Sequence, residues 1–215
     1  MKGKPAADSQ REGLVLILSA PSGTGKTTLT SRLLALFPEI SLSVSYTTRR
    51  RRRDEIPGRD YHFVSLQKFA AMRAAGKFAE WAKVHDFLYG TPRRPLDRAI
   101  RGGRDILLDI DVQGAKQIKK SYPGAVSIFL VPPSWQELRR RLAARGTDGP
   151  KIIARRMANA KREIHAIVGY DYYVVNRDVK NALAQLAAII RAERVKVARV
   201  IRWRITPLRG RGRVA

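Results

Sequence analysis

The 215-residue chain contains no cysteine. That excludes disulfide frameworks, thiolate-held zinc, iron–sulfur clusters and cysteine nucleophiles. Histidine is nearly as scarce. Only three are present, His62, His85 and His165, too few for a metal cluster built on imidazole, and all three are read as structural. Acidic residues are also few: 18 Asp and Glu stand against 43 Lys and Arg, a net charge of +25. Such an excess draws anionic partners, whether nucleotide phosphates, nucleic acid or an acidic membrane surface; an arginine-favouring proteome would produce the same balance. There is no run of 18 apolar residues, so no transmembrane helix is expected. Residues 1–12 are polar and lack an apolar segment, which makes them a disordered leader rather than a signal peptide, and the cytoplasm is the expected location. What remains is a globular composition, 44% hydrophobic and 7% aromatic. The length suits one large domain or a core with a small insertion, burying about 70% of its unfolded surface without staples.

Leu14–Leu18 is a short continuous apolar run, the pattern of a strand buried on both faces. Asp105–Ile110, Val126–Val131 and Tyr172–Val175 repeat it. Helical patterns lie at about 28–37, 112–121, 134–144, 152–167 and 179–195. This alternation predicts an α/β fold with a parallel sheet covered on both faces. Residues 45–92 break the rhythm. A strand over Tyr61–Val64 and a helix over Ser65–Ala75, closed by Gly76, mark an inserted subdomain between core segments 13–44 and 93–195. Residues 145–151 read as a hinge-like loop inside a helical lid of about 138–160. The end of the chain is basic, with nine Lys or Arg and one Glu between Arg191 and Ala215, and 196–215 is read as a tail outside the domain.

Ala20-Pro21-Ser22-Gly23-Thr24-Gly25-Lys26-Thr27 sits between the first strand and the first helix, where a P-loop belongs. Gly23 and Gly25 let the backbone approach a phosphate and turn its amides inward, and the helix N-terminus behind them adds positive potential. Lys26 is placed to reach the β and γ phosphates of a nucleoside triphosphate, and the Thr27 hydroxyl to ligate Mg²⁺. Ala20 replaces the usual first glycine. The strand Asp105–Ile110 leads into Asp109 and Asp111, on one side of the chain by the two-residue period. One of them is positioned to serve Mg²⁺, Asp109 through water, and either is equally readable as a loop cap. Asp111-Val-Gln-Gly114 also matches the D-x-x-G of GTPases, but no guanine-reading N-K-x-D follows.

The insertion carries a more specific signal. Ser43–Arg49, Gly58–Val64, Glu80-Trp81-Ala82, Tyr89-Gly90-Thr91, Leu108–Gly114, Arg145-Gly-Thr147 and Tyr170–Asn176, together with the P-loop, resemble the guanylate kinase family over residues 14–195. The resemblance implies a P-loop nucleoside monophosphate kinase fold: a parallel-sheet core, an inserted GMP-binding subdomain and a helical lid. It also implies transfer of the γ-phosphoryl group of ATP to GMP, with Mg²⁺. Guanine presents two adjacent donors, N1–H and N2–H₂, which the two oxygens of Glu80 can accept; Ser45 and Thr91 offer hydroxyls to the O6/N7 side. Arg49, Arg52, Tyr61 and Tyr89 match positions that hold the GMP phosphate, a task for forked cations and phenols. Asp109 and Asp111 border the same site. Arg141, Arg145 and Arg156 resemble lid arginines that would swing over the triphosphate and stabilise transferring charge. No histidine base is needed, because a phosphate monoester with a second pKa near ~6 is already mostly a dianion at neutral pH.

Some positions depart from the family pattern. Arg51 and Asp54 stand where Pro and Gly are usual. Asp86 and Leu88 precede Tyr89 in place of a Gly and an aromatic, Pro150-Lys151 replaces an acidic stretch, and Asn176-Arg177 replaces an Asn-acidic pair. Three other readings stay open at this point: a kinase-like interaction module, a nucleic-acid-associated P-loop protein using the basic tail without sequence preference, and a ribose-bisphosphate kinase. An intact Gly25-Lys26-Thr27 weighs against the first, the lack of aromatic interleaving against the second, and Glu80 with Ser45 and Thr91 against the third.

Overall fold

A computed structural model of the chain describes residues 10–84, 86–144 and 149–202. His85, Arg145, most of the leader (1–9) and the end of the tail (203–215) lie outside the described residues. The core is a five-stranded, all-parallel sheet. Its strands are β2 (Val15–Ser19), β3 (Ser41–Leu42), β8 (Ile106–Asp109), β9 (Val126–Val131) and β10 (Tyr172–Val175), in the order β10-β9-β2-β8-β3. Every residue of β2 is buried, as a central strand with helices on both faces requires.

The two-residue period sorts the apolar side chains into two layers. Leu16 and Leu18 of β2 join Leu107, Ile128, Leu130 and Val174 beneath helices α1 (Lys26–Leu36) and α7 (Val179–Arg194), which contribute Leu29, Leu33, Leu186 and Ile190. Val15 and Ile17 point the other way. They meet Ile106, Leu108 and Ile110 with Leu96 of α3 (Arg93–Arg101) and Ile118 of α4 (Val112–Ser121). Helix α4 starts where Asp111 accepts the Gly114 N–H at 2.9 Å, a side-chain N-cap. Ser134 and Asp178 cap α5 (Trp135–Ala143) and α7 in the same way. The two-residue strand β3 and helix α3 were not among the expected elements.

Between β3 and α3 the chain builds a second sheet, ordered β5-β4-β7-β6. It consists of β4 (Tyr46–Thr47), β5 (His62–Phe63), β6 (Phe78–Val84) and β7 (Phe87–Pro92). Helix α2 (Leu66–Ala74) covers it, with Phe69 fully buried and stacked on Phe78 at 4.6 Å. Helices α5 and α6 (Pro150–Ile164) form the lid pair around Leu138, Leu142 and Ala160. Helix α6 opens at Pro150, two residues before the expected 152, because proline at the first helical turn sacrifices no hydrogen bond. It stops at Ile164, and a 3-10 turn, His165–Gly169, replaces its expected last turn.

The chain ends depart from the expected leader and tail. β1 (Gln10–Arg11) pairs antiparallel with β11 (Val200–Arg202). Arg11 bonds Asp105, whose side chain is fully buried, and Arg194 reaches the same carboxylate at 2.7 Å. Arg199 donates to Glu193 at 3.1 Å and to the Gly124 carbonyl at 3.0 Å. Arg11 and Arg199 therefore tie the two chain ends to the core. Sequence alone held no sign of this, because Asp105 and Gly124 lie more than 70 positions from the arginines that reach them.

Candidate active site

The parallel strands all point their C-terminal ends at one crevice, where open α/β sheets bind ligands. β2 delivers the P-loop there. Gly23 (φ +92°) and Gly25 (φ +96°) hold it in left-handed conformations that glycine alone adopts without strain. The space is as demanding as the angle. A Cβ on Gly23 would lie 2.8 Å from Leu142 of α5, and one on Gly25 would lie 2.7 Å from Asn176 Nδ2. Gly25 is also the N-cap of α1 and brings no side-chain cap, so the first amides of that helix are left for a ligand.

Two donors converge on one P-loop carbonyl. Asn176 Nδ2 reaches Thr24 O at 2.7 Å, and Arg141 Nη1 reaches it at 3.1 Å. Arg141 also donates to the Asn176 carbonyl at 3.1 Å and to Glu137 at 2.7 Å. The arginine expected to swing thus braces the P-loop here, held by four acceptors, the fourth being the Arg177 carbonyl at 3.5 Å. Arg156 lies on α6, in the lid. Lys26 is ion-paired with Asp109. Thr27 is exposed in the first turn of α1, on the same side of the P-loop as Lys26 and its partner Asp109. A hydroxyl and a carboxylate suit a hard cation that keeps several waters and takes its other ligands from substrate phosphates. Asp109 and Asp111 do not play like roles: Asp109 ends β8 against Lys26, whereas Asp111 spends one oxygen on capping α4.

Across the crevice lies a 210 Å³ cavity lined by Lys26, Ser45, Tyr61, Glu80, Tyr89 and Asp111, among others. Glu80 is 4% exposed. Its Oε1 accepts the Thr91 N–H at 3.1 Å and the Thr91 hydroxyl at 2.6 Å. Burial, and secondarily the nearby Asp111 charge, push the Glu80 carboxyl up to about 7 against the pull of Thr91. Two expectations change here. Thr91 is fully buried and turned onto Glu80, so it orients the carboxylate instead of offering a hydroxyl to a base. Oε1 is already taken twice, which leaves Oε2 as the unshared oxygen. Ser45, 9% exposed, does line the cavity.

The cavity continues into a 490 Å³ cleft that also contains Arg49 and Arg52. Arg49 is held by both oxygens of Glu55, at 3.1 and 2.6 Å, with its guanidinium 5.5 Å from the Tyr61 ring. Glu55 further accepts the Arg52 N–H at 2.8 Å. Tyr61 packs edge-on to Tyr89 at 5.8 Å, and burial and Asp109 push its phenol up to about 12, so it stays a donor. Glu55 escaped the sequence reading because its partner is set by the turn. Glu163 on α6 escaped as well; burial, with Asp111 next, pushes its carboxyl up to about 7.

This arrangement has close relatives. The family model described as "Guanylate kinase" matches residues 12–193. The chain belongs to the guanylate kinase family. A guanylate kinase of Syntrophotalea carbinolica is 48% identical over 191 residues, 89% of this chain and 91% of that one. The guanylate kinase of Nitratidesulfovibrio vulgaris is 51% identical over 179 residues, 83% and 86% of the two chains. A crystal structure of guanylate kinase from Anaplasma phagocytophilum superimposes with a TM-score of 0.76 at 35% identity, covering 89% of this chain and 91% of that chain. Guanylate kinases are ATP-dependent GMP phosphotransferases.

Proposed function

We propose that this chain phosphorylates GMP by holding ATP on the P-loop and GMP in the cavity that Glu80 closes. The observation that carries this reading is the buried Glu80 carboxyl, braced by Thr91 in a cavity continuous with an arginine- and tyrosine-lined cleft. Guanine offers a donor pair that the two oxygens of an ionised Glu80 can accept, Oε2 being the one with no partner before binding; adenine offers none. Ser45 stands at the same wall for the O6/N7 side. Arg49, Arg52, Tyr61 and Tyr89 surround the acceptor phosphate, with Glu55 holding Arg49 in place beforehand, which lowers the entropy lost on binding.

Two anions must meet, so the chemistry is positioning and charge neutralisation. The amides of residues 20–27 cradle the ATP phosphates. Lys26 exchanges Asp109 for the β and γ phosphates. Arg141 and Asn176 keep the Thr24 carbonyl turned away from the phosphates, so that the loop presents amides to them. Arg156 from the lid, with Arg145, supplies further positive charge over the transferred group. Mg²⁺, held through Thr27 with Asp109 or Asp111 near its water shell, would add charge neutralisation on the phosphates. Among the described residues no helix is long and apolar enough to cross a membrane, and we place the enzyme in the cytoplasm. The basic tail adds a weak, salt-sensitive attraction for nucleic acid.

The test is an ADP-release assay with GMP, dGMP, AMP, UMP and ribose 1,5-bisphosphate as acceptors. Turnover confined to the guanine nucleotides is expected. Equal or better turnover with AMP or the bisphosphate would overturn the reading.

A further inference from the structure

Strand β6, which carries Glu80, is the edge of the inserted sheet. Its outer edge has no neighbouring strand among the described residues. Helix α4 of the core lies along it instead. Gln117 grips the Trp81 backbone at two points, accepting its N–H at 3.3 Å and donating to its carbonyl at 2.8 Å. One turn earlier, Gln113 donates to the Lys83 carbonyl at 3.4 Å and to Asp111 at 3.2 Å. The spacings agree: four helical residues rise about 6 Å, and two strand residues rise about 6.6 Å. Glutamines at i and i+4 can therefore follow backbone groups at j+2 and j, as a neighbouring strand would. Between them, Gly114 leaves room for the reader itself, since a Cβ there would lie 2.6 Å from Glu80 Oε2.

We propose that Gln113, Gly114 and Gln117 are specificity-positioning residues: one turn of α4 sets where Glu80 stands relative to the P-loop, and so how strictly guanine is read. This rests on Glu80 being the guanine reader. None of the three is proposed to touch the reacting atoms. The glutamines hold the strand by its backbone, and the glycine admits the carboxylate. Because α4 begins just beyond Asp109 and is capped by Asp111, the same turn joins the acceptor sheet to the donor half of the site.

The test compares GMP with IMP, which lacks the 2-amino group, at saturating ATP. The parent should prefer GMP in kcat/KM. Gln117→Met keeps the side-chain length and removes both hydrogen bonds; it should cut the GMP-to-IMP ratio about fivefold, and Gln113→Met with Gln117→Met about tenfold, while the KM for ATP changes less than twofold. Gly114→Ala is the second probe. Alanine favours the helix over glycine, so the fold should keep its melting temperature while the ratio drops by a similar factor. A parent that does not distinguish GMP from IMP would remove the Glu80 reading itself. A parent that does, with all three variants at the parental ratio, would overturn the positioning role alone.

Discussion

Replacing Glu80 by Gln should weaken catalysis and strengthen the folded state. Shape is conserved. The amide oxygen stays with the Thr91 N–H, which lies 3.1 Å from Oε1, so the NH₂ group takes the place of Oε2 and confronts guanine with a donor. One charge-assisted bond is lost, worth about 1.5–3 kcal/mol, and a buried donor is left unpaired at a cost of about 1–3 kcal/mol. The sum corresponds to a drop of roughly 10²–10⁴-fold in kcat/KM for GMP. ATP affinity should change less than twofold, because Lys26 and Thr27 lie across the crevice.

Stability should move the other way. Burial raises the Glu80 carboxyl from 4.5 to about 7. Its favourable contribution is complete below pH 4.5 and is lost as pH rises through 7. Once ionised, the carboxylate costs the ligand-free fold about 3 kcal/mol, at 1.36 kcal/mol per pH unit. Glu80→Gln removes that cost, so at pH 8 the ligand-free variant should melt about 6–12 °C above the parent, with no such gain at pH 4.5. Steady-state kinetics and a thermal melt at the two pH values measure both arms. A variant that uses GMP as well as the parent does would show that Glu80 is a buried structural carboxyl, and a variant less stable at pH 8 would refute the desolvation argument.

Other outcomes follow from the same contacts. Lys26→Ala should lower kcat about 10²–10³-fold with the fold intact, read by turnover alongside circular dichroism; near-normal turnover would remove the lysine from the chemistry. GMP binding should release a proton from Glu80 near pH 7, since guanine stabilises the anion; calorimetry in buffers of different ionisation enthalpy should detect it in the parent and not in Glu80→Gln. Truncation after Arg202 should leave GMP turnover unchanged, whereas truncation after Val195 should lower the melting temperature by several degrees, because Glu193, 1% exposed, loses Lys196 and Arg199; equal melts would show the terminal pairing to be idle. Asp105→Ala should cost about 3–5 kcal/mol, because Arg11 and the buried Leu14 N–H lose their acceptor and Arg194 keeps only Glu39. Although burial opposes it, Arg11 and the Leu14 amide hold the Asp105 carboxyl below its ordinary value, so the stability it provides is present above pH 4 and is lost as pH falls through the lowered value; denaturant titrations across that range measure it.

Legibility in the sequence followed locality. Val126–Val131 and Tyr172–Val175 were readable to the residue because a strand covered on both faces is a continuous apolar run, and 112–121 because its helical periodicity is local to the segment. Strand β3 has only two residues, and α3 hides its apolar side, Leu96 and Ala99, among arginines and Pro95. The P-loop was legible because its chemistry is contiguous. Contacts that cross the chain were not: Asn176 meets Thr24 from 152 positions away, Gln117 meets Trp81 from 36, and nothing local distinguishes Arg141 as a brace from an arginine free to swing. Thr91 shows the same limit, since its hydroxyl was read toward a base and is committed to Glu80.

The claim on which the rest depends is that the Glu80 cavity seats guanine and the Arg49–Tyr61–Tyr89 cleft seats its phosphate. A crystal structure of the full chain with GMP tests it most directly. The guanine N1–H and N2–H₂ edge is expected within hydrogen-bond distance of Glu80 and the phosphate against Arg49, Tyr61 and Tyr89, with Lys26 left free for ATP. A base bound away from Glu80, or a phosphate lodged on the P-loop, would contradict it.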